Sequence, residues 1–140
     1  MPASASSPVS EAIYAALLAD ATLMAALTGG VHDDLPQGRT YPCLWYEVKE
    51  RDIRGFGTGG LPEVELRTHV FSTFGGMAEA QACNRLVAAV LKDARITVTG
   101  YAQCGHVTYR ETVPIGDADL NGVKVKEVVS TFTIWVEEAA

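Results

Sequence analysis

Apolar positions near the start of the chain recur at helical spacing. Val9, Ile13, Ala16 and Leu17 are separated by one to four residues and share one helical face. Ser7 followed by Pro8 predicts where this helix starts, because serine accepts from free backbone N–H groups and proline suits the first helical position. Asp20 predicts the cap of a second, short helix carrying Leu23, Met24 and Leu27, which Gly29-Gly30 ends. Val31 to Thr40, with His32, two aspartates, Pro36 and Gly38, reads as a loop by composition.

After Pro42 the period changes to two. Leu44, Tyr46 and Val48 alternate with Cys43, Trp45, Glu47 and Lys49, and Val64, Leu66, Thr68 and Val70 alternate with Glu63, Glu65, Arg67 and His69. Two strands joined through the glycine-rich stretch Gly55 to Gly60 make a long hairpin. From Met77 to Asp93 the helical period returns, with Met77, Ala80, Cys83, Val87, Val90 and Leu91 on one side and Glu79, Gln81, Asn84, Arg85 and Lys92 on the other. Ile96 to Thr99 and Gln103 to Val113 read as strands, Pro114 to Gly122 as a loop, and Val123 to Glu137 as a long strand. In that last strand Val123 and Val125 have the opposite parity to Phe132, Ile134 and Val136, so a β-bulge is expected near Glu127 and Val128. The fold class that follows is α+β: a single, mainly antiparallel sheet of four to five strands with two main helices on one face. One domain over residues 1–140 is expected, with residues 1–7 as a flexible tail.

At 140 residues, 48% hydrophobic and 20% charged, the chain has the composition of one ordinary globular domain. Seventeen acidic against 11 basic residues give a net charge of −6, which argues against a broad grip on nucleic acid phosphates. The acidity is uneven: from Met1 to Gly38 there are Glu11, Asp20, Asp33 and Asp34 and no Lys or Arg. Without a basic flank, the run Ala12 to Ala19 reads as a helix and not as a signal-peptide core. No apolar stretch approaches the roughly 18–20 residues of a membrane span, so a cytoplasmic site of assembly is expected.

Candidate chemistry is sparse. Gly55, Gly57 and Gly60 satisfy a G-x-G-x-x-G pattern, but Leu61-Pro62 leads into a strand, whereas a dinucleotide site needs a helix there. Asp117 to Gly122 matches the first half of a calcium loop. The position that needs a bidentate glutamate is Val128, so a polar hairpin turn at Asn121-Gly122 is preferred over a weak cation site. His32, His69 and His106 are far apart, and Cys43, Cys83 and Cys104 are odd in number and widely spaced, as small buried hydrophobes would be. Trp45 and Trp135 fit sheet packing or a subunit interface. No catalytic residue, cofactor or metal ligand is assigned.

The order of these pieces resembles small tail-completion proteins of long-tailed bacteriophages, prophages and gene transfer agents, related to phage tail terminators. The resemblance runs from Val9 to Val136. It takes in the helix Ala12-Ile13-Tyr14-Ala15-Ala16-Leu17-Leu18-Ala19-Asp20 with Leu23, the stop Leu27-Thr28-Gly29-Gly30, then Leu35-Pro36-Gln37-Gly38 and Tyr41-Pro42-Cys43-Leu44. His69-Val70-Phe71-Ser72 follows, then Gly75-Gly76 before Glu79-Ala80, the Asp117 to Gly122 loop and Phe132-Thr133-Ile134-Trp135-Val136. The resemblance implies a structural, non-enzymatic virion protein. Its copies would form a ring, typically a hexamer, that caps the tail tube and meets the neck or head-completion protein at the tail-neck junction. DNA would pass through without specific binding, and no membrane is involved. Another neck, head-completion or tail-tube component is the alternative within that class, and a small oligomeric α+β enzyme or ligand-binding domain the alternative outside it. Ring subunits need loops and edges for head-to-tail contact. Arg51, Arg54 and Phe56 on one loop, and Asp117, Asp119 and Leu120 on another, are therefore the candidate interface residues. Acidic residues facing the opening are expected in Met1 to Gly38 and the Asp117/Asp119 loop.

Overall fold

The computed structural model describes residues 6–34, 37–52, 62–103, 106–120 and 122–138. Helix α1 (Ser6–Leu18) buries Val9, Ile13 and Leu17 completely, the stripe its spacing predicts. Asp20 caps α2 (Ala21–Ala26), its carboxylate accepting from the Leu23 backbone N–H at 2.8 Å. The chain then enters β1 (Val31–His32), which pairs in parallel with the start of β2 (Cys43–Asp52) at Val31↔Leu44 and His32↔Trp45. Composition gave this segment as loop; a two-residue strand is too short to show a period.

Strands β2 and β3 (Pro62–Ser72) form the predicted long antiparallel pair, in register from Cys43↔Phe71 to Asp52↔Pro62. The glycine-rich connection lies outside the described residues. Helix α3 (Ala78–Leu91) buries Ala80, Cys83, Asn84, Val87 and Leu91. Asn84, expected on the solvent side, is instead 7% exposed because its Oδ1 accepts from Ser130 Oγ at 2.8 Å. Short β4 (Tyr101–Gln103), long β5 (Thr108–Leu120) and β6 (Val123–Glu138) complete the chain. Ile96 to Thr99 contributes only one isolated bridge, Val98↔Tyr101, and no strand.

The described sheet has six strands in the order β1-β2-β3-β6-β4, with β5 also paired to β6. It is α+β as expected, but mixed, because β1 is parallel to β2. The described strands number six where the alternation gave four to five, because β1 and β4 are two and three residues long. Alternate residues Leu44, Tyr46, Val64, Leu66, Val70, Val128, Phe132 and Ile134 share one core with the buried faces of all three helices, so the helices lie on one side of the sheet.

The expected bulge in β6 does not occur. Strand β6 pairs with β3 without interruption from Ser72↔Lys126 to Glu63↔Trp135, and the register shifts fall in β5, at Tyr109/Glu111 and Pro114/Gly116. The two parities of β6 serve two faces: Phe132, Ile134 and Val136 join the main core, whereas Val125 joins a second cluster with Cys43 and Phe71 on the outer face. The bulges also explain why Pro114 to Leu120 is strand and not loop. Proline is tolerated at a bulge on a sheet edge, and Gly116 takes the positive φ of 85° there.

Cys43 and Cys83 are buried free thiols. Burial pushes the Cys43 thiol up to about 11 against the opposing pull of Arg39, and burial together with the Glu79 charge raises Cys83. Because the thiolate is the nucleophile, Cys43 should alkylate in the native protein on the order of a hundredfold slower than in the unfolded chain, and Cys83 should be slowed in the same direction. Peptide mapping after iodoacetamide treatment checks this; rapid native labelling of either would show that its cluster opens.

Candidate interaction surfaces

Strands β5 and β6 make a hairpin whose two faces differ. Ala118 and Leu120, which pair with Val125 and Val123, pack on the second cluster beside Cys43, Phe71, Tyr41 and Trp45. On the other face, Asp117 sits opposite Lys126 and Asp119 opposite Lys124, two opposite-charge cross-strand pairs. Lys126 Nζ donates to Asp117 Oδ1, and this hydrogen bond with the lysine charge holds the Asp117 carboxyl below its ordinary range although the side chain is exposed. Asp119 Oδ1 accepts from the Gly122 N–H at 2.7 Å, and Gly122 has φ 85°, as the predicted hairpin turn requires.

Of the candidate interface residues that are described, those on the hairpin divide between its two faces. Asp117 and Asp119 lie on the charged face of the hairpin and Leu120 on its apolar face. Arg51 lies near the end of β2, and Arg54 and Phe56 fall outside the described residues. The tip is charge-balanced, so it is not the acidic surface that its sequence suggests.

The outer sheet face carries a cluster that periodicity alone did not reveal. His69, 9% exposed, has a carboxylate acceptor at each ring nitrogen: Glu127 Oε2 lies 2.8 Å from Nδ1 and Glu47 Oε2 lies 3.0 Å from Nε2. Trp45 lies directly across from His69 and stacks on it with centroids 4.5 Å apart; Phe71 stacks at 6.2 Å. The imidazole separates the two carboxylates, so the three side chains brace the β2-β3-β6 seam and do not converge on a single point. Among the described residues, no group of three or more His, Cys, Asp and Glu side chains is placed to hold a metal ion. His32 Nε2 lies 2.7 Å from the Gly29 carbonyl, and His106 Nδ1 lies 3.0 Å from the Asp93 carbonyl. Further along the face, Arg110, extruded by the first bulge, lies over Trp135 at 5.5 Å and donates to Thr133 Oγ1 at 2.9 Å. Val113 and Ile115 on β5 remain 41% and 50% exposed.

Two grooves flank the helix layer. One, of about 360 Å³, runs between α3 and β5 past Arg85 and Lys92. The other, of about 230 Å³, lies between α1 and β1 past Glu11 and Asp33, with Tyr14 and Tyr46 in its wall. The signal for the first was present in the chain, since Gln81, Arg85, Ala88 and Lys92 repeat at helical spacing.

The fold covers one sheet face with helices, leaves the other to charged and aromatic side chains, and keeps the 13-residue β5 at a sheet edge. The family of proteins described as "Tail completion protein gp17" matches residues 11–137, and the chain belongs to it. The tail-completion resemblance read from the sequence is thus correct, and the chain is a structural component of a phage-type tail. Among solved structures, the chain shares its fold with a chain in the virion of a native gene transfer agent particle. The TM-score is 0.77 at 20% identity, with 97% of this chain and 99% of that chain covered. No curated protein matches the chain.

Proposed function

We propose that copies of this chain form a ring, six to a turn, that caps the tail tube and joins it to the neck or head-completion protein of the particle. The reading is carried by the family match over residues 11–137, which runs from within α1 to within β6. The chain acts as a structural part and not as an enzyme. Its contacts are with itself, the tube protein and the neck protein, and DNA passes through the opening without specific binding. The net charge of −6 per copy opposes adhesion of DNA phosphates to the ring.

The test is removal of the chain from an assembling particle, followed by electron microscopy. Tails of uncontrolled length that fail to join DNA-filled heads are the expected result, and gold label on the chain should fall at the tail-neck junction. Label along the whole tube would assign it to the tube, and normal particles without it would overturn the reading.

A further inference from the structure

The two grooves lie at opposite edges of the sheet and carry opposite charge. The strand order places β1 at one end and β5 beyond β6, so four strand spacings, roughly 19 Å, separate the two edge strands. Arg85 and Lys92 are seven residues apart, two helical turns, which puts both on one side of α3. Gln81 and Tyr109 line the same groove, and among the described residues no acidic side chain does. At the far edge, Glu11 and Asp33 line the groove between α1 and β1, and Glu47 extends the acidic lining into the adjoining hollow; among the described residues no Lys or Arg lines either. Glu11, Asp33, Arg85 and Lys92 are all exposed, and none takes part in the ion pairs found among the described residues.

We infer that these grooves are the two halves of one contact between copies: the acidic α1/β1 edge of one subunit seats against the basic α3/β5 groove of the next. Such a contact is heterologous, using two different surfaces, and heterologous contacts generate rings when their rotation closes. The charge on each half fixes which edge meets which and excludes edge-to-like-edge pairing. Tyr14, 41% exposed, and Tyr109, 37% exposed, supply an aromatic at each half, the residue type favoured at interface cores. The base-free stretch from Met1 to Gly38 thereby gains a role, since it builds the acidic half.

This inference rests on the ring reading, and a charge-swap experiment separates the two. Variant one carries Arg85→Glu and Lys92→Glu, and variant two carries Glu11→Lys and Asp33→Lys. Each is studied as the full chain by native mass spectrometry in solution and by crosslinking on isolated tails. All four side chains are exposed, so both variants should melt as the wild type does. Alone, each variant brings like charges together and should weaken every contact by roughly a hundredfold, leaving monomer. Mixed in equal amounts, they offer complementary edges again and should restore the wild-type oligomer mass with the two variants alternating. If either variant alone keeps the wild-type oligomer, or the mixture stays monomeric, the contact is elsewhere and only this inference falls. A wild type that forms no oligomer either in solution or on tails would bring down the ring reading itself.

Discussion

Replacing Gly29 with alanine is expected to lower the melting temperature by about 10 °C, a loss at or above the upper end of the roughly 1–3 kcal/mol typical of overpacking. A Cβ at this position would lie 1.9 Å from the Thr40 carbonyl oxygen, 2.7 Å from its carbon and 2.9 Å from Cys43 Cβ. Two of these are backbone atoms, which cannot rotate away. The same point straps two segments together: the Gly29 N–H donates to the Pro42 carbonyl at 2.8 Å, and Thr28 Oγ1 donates to the Tyr41 carbonyl at 3.2 Å. Relief of the clash must therefore move the chain just before β2, where Leu44 N–H donates to the Gly30 carbonyl at 3.0 Å and β1 meets β2. Gly38→Ala in the same connection is the control. Nothing lies within 4 Å of its added Cβ, and a change within about 0.5 kcal/mol is expected. Equal melting temperatures for the two variants would show that the Gly29 backbone gives way without cost.

Gly29 also shows what one-dimensional pattern can carry. Its place after a short helix made it legible as a terminator, whereas its close approach to Thr40 depends on a chain reversal that no local period records. The long elements were readable because burial imposes a period on them: Val9, Ile13 and Leu17 in α1 and Val64, Leu66 and Val70 in β3 all reach the core that their spacing predicted. The short strands were not, because two residues at Val31–His32 and three at Tyr101–Gln103 cannot establish alternation.

Strand β6 failed for a different reason. Its change of parity was real, but it recorded two buried faces and not an irregular backbone. A sheet with a second cluster on its outer side, at Cys43, Phe71 and Val125, allows apolar residues at both parities. The irregularity lay on the neighbouring strand instead. There, Pro114 and Gly116 read as loop signals, and only pairing with Val128 and Glu127 shows them to be a bulge.

The candidate surfaces divide along the same line. The chain displayed the charges of both grooves, as a base-free opening segment and as cations at helical spacing on α3. Their separation to opposite edges follows from the strand order alone, in which β6 is inserted between β3 and β5. The Asp117 to Gly122 segment misled in the opposite direction. Its two aspartates looked like free acidity, but cross-strand lysines from β6 face them.

Phe132→Ala should cost about 3–5 kcal/mol, the largest loss expected from any single side-chain truncation in this fold. Phe132 is completely buried and is the largest side chain so enclosed among the described residues. It sits in the middle of β6, opposite Leu66 on β3 and Tyr109 on β5, and meets the Tyr109 ring edge-on at 5.7 Å. Strand β6 pairs with β3, β4 and β5, so a cavity here loosens the attachment of the β5 edge, which forms one wall of the basic groove. Chemical denaturation should register the full loss as a lower midpoint with an unchanged slope. Phe74→Ala, at a side chain 56% exposed, should stay within about 0.5 kcal/mol of wild type. Under the head-to-tail contact inferred above, Phe132→Ala should also weaken the oligomer at temperatures where the monomer remains folded, because Tyr109 loses the ring that orients it into the groove. An intact oligomer at those temperatures would mean that the β5 wall holds its position without Phe132, and that the contact draws its geometry from α3.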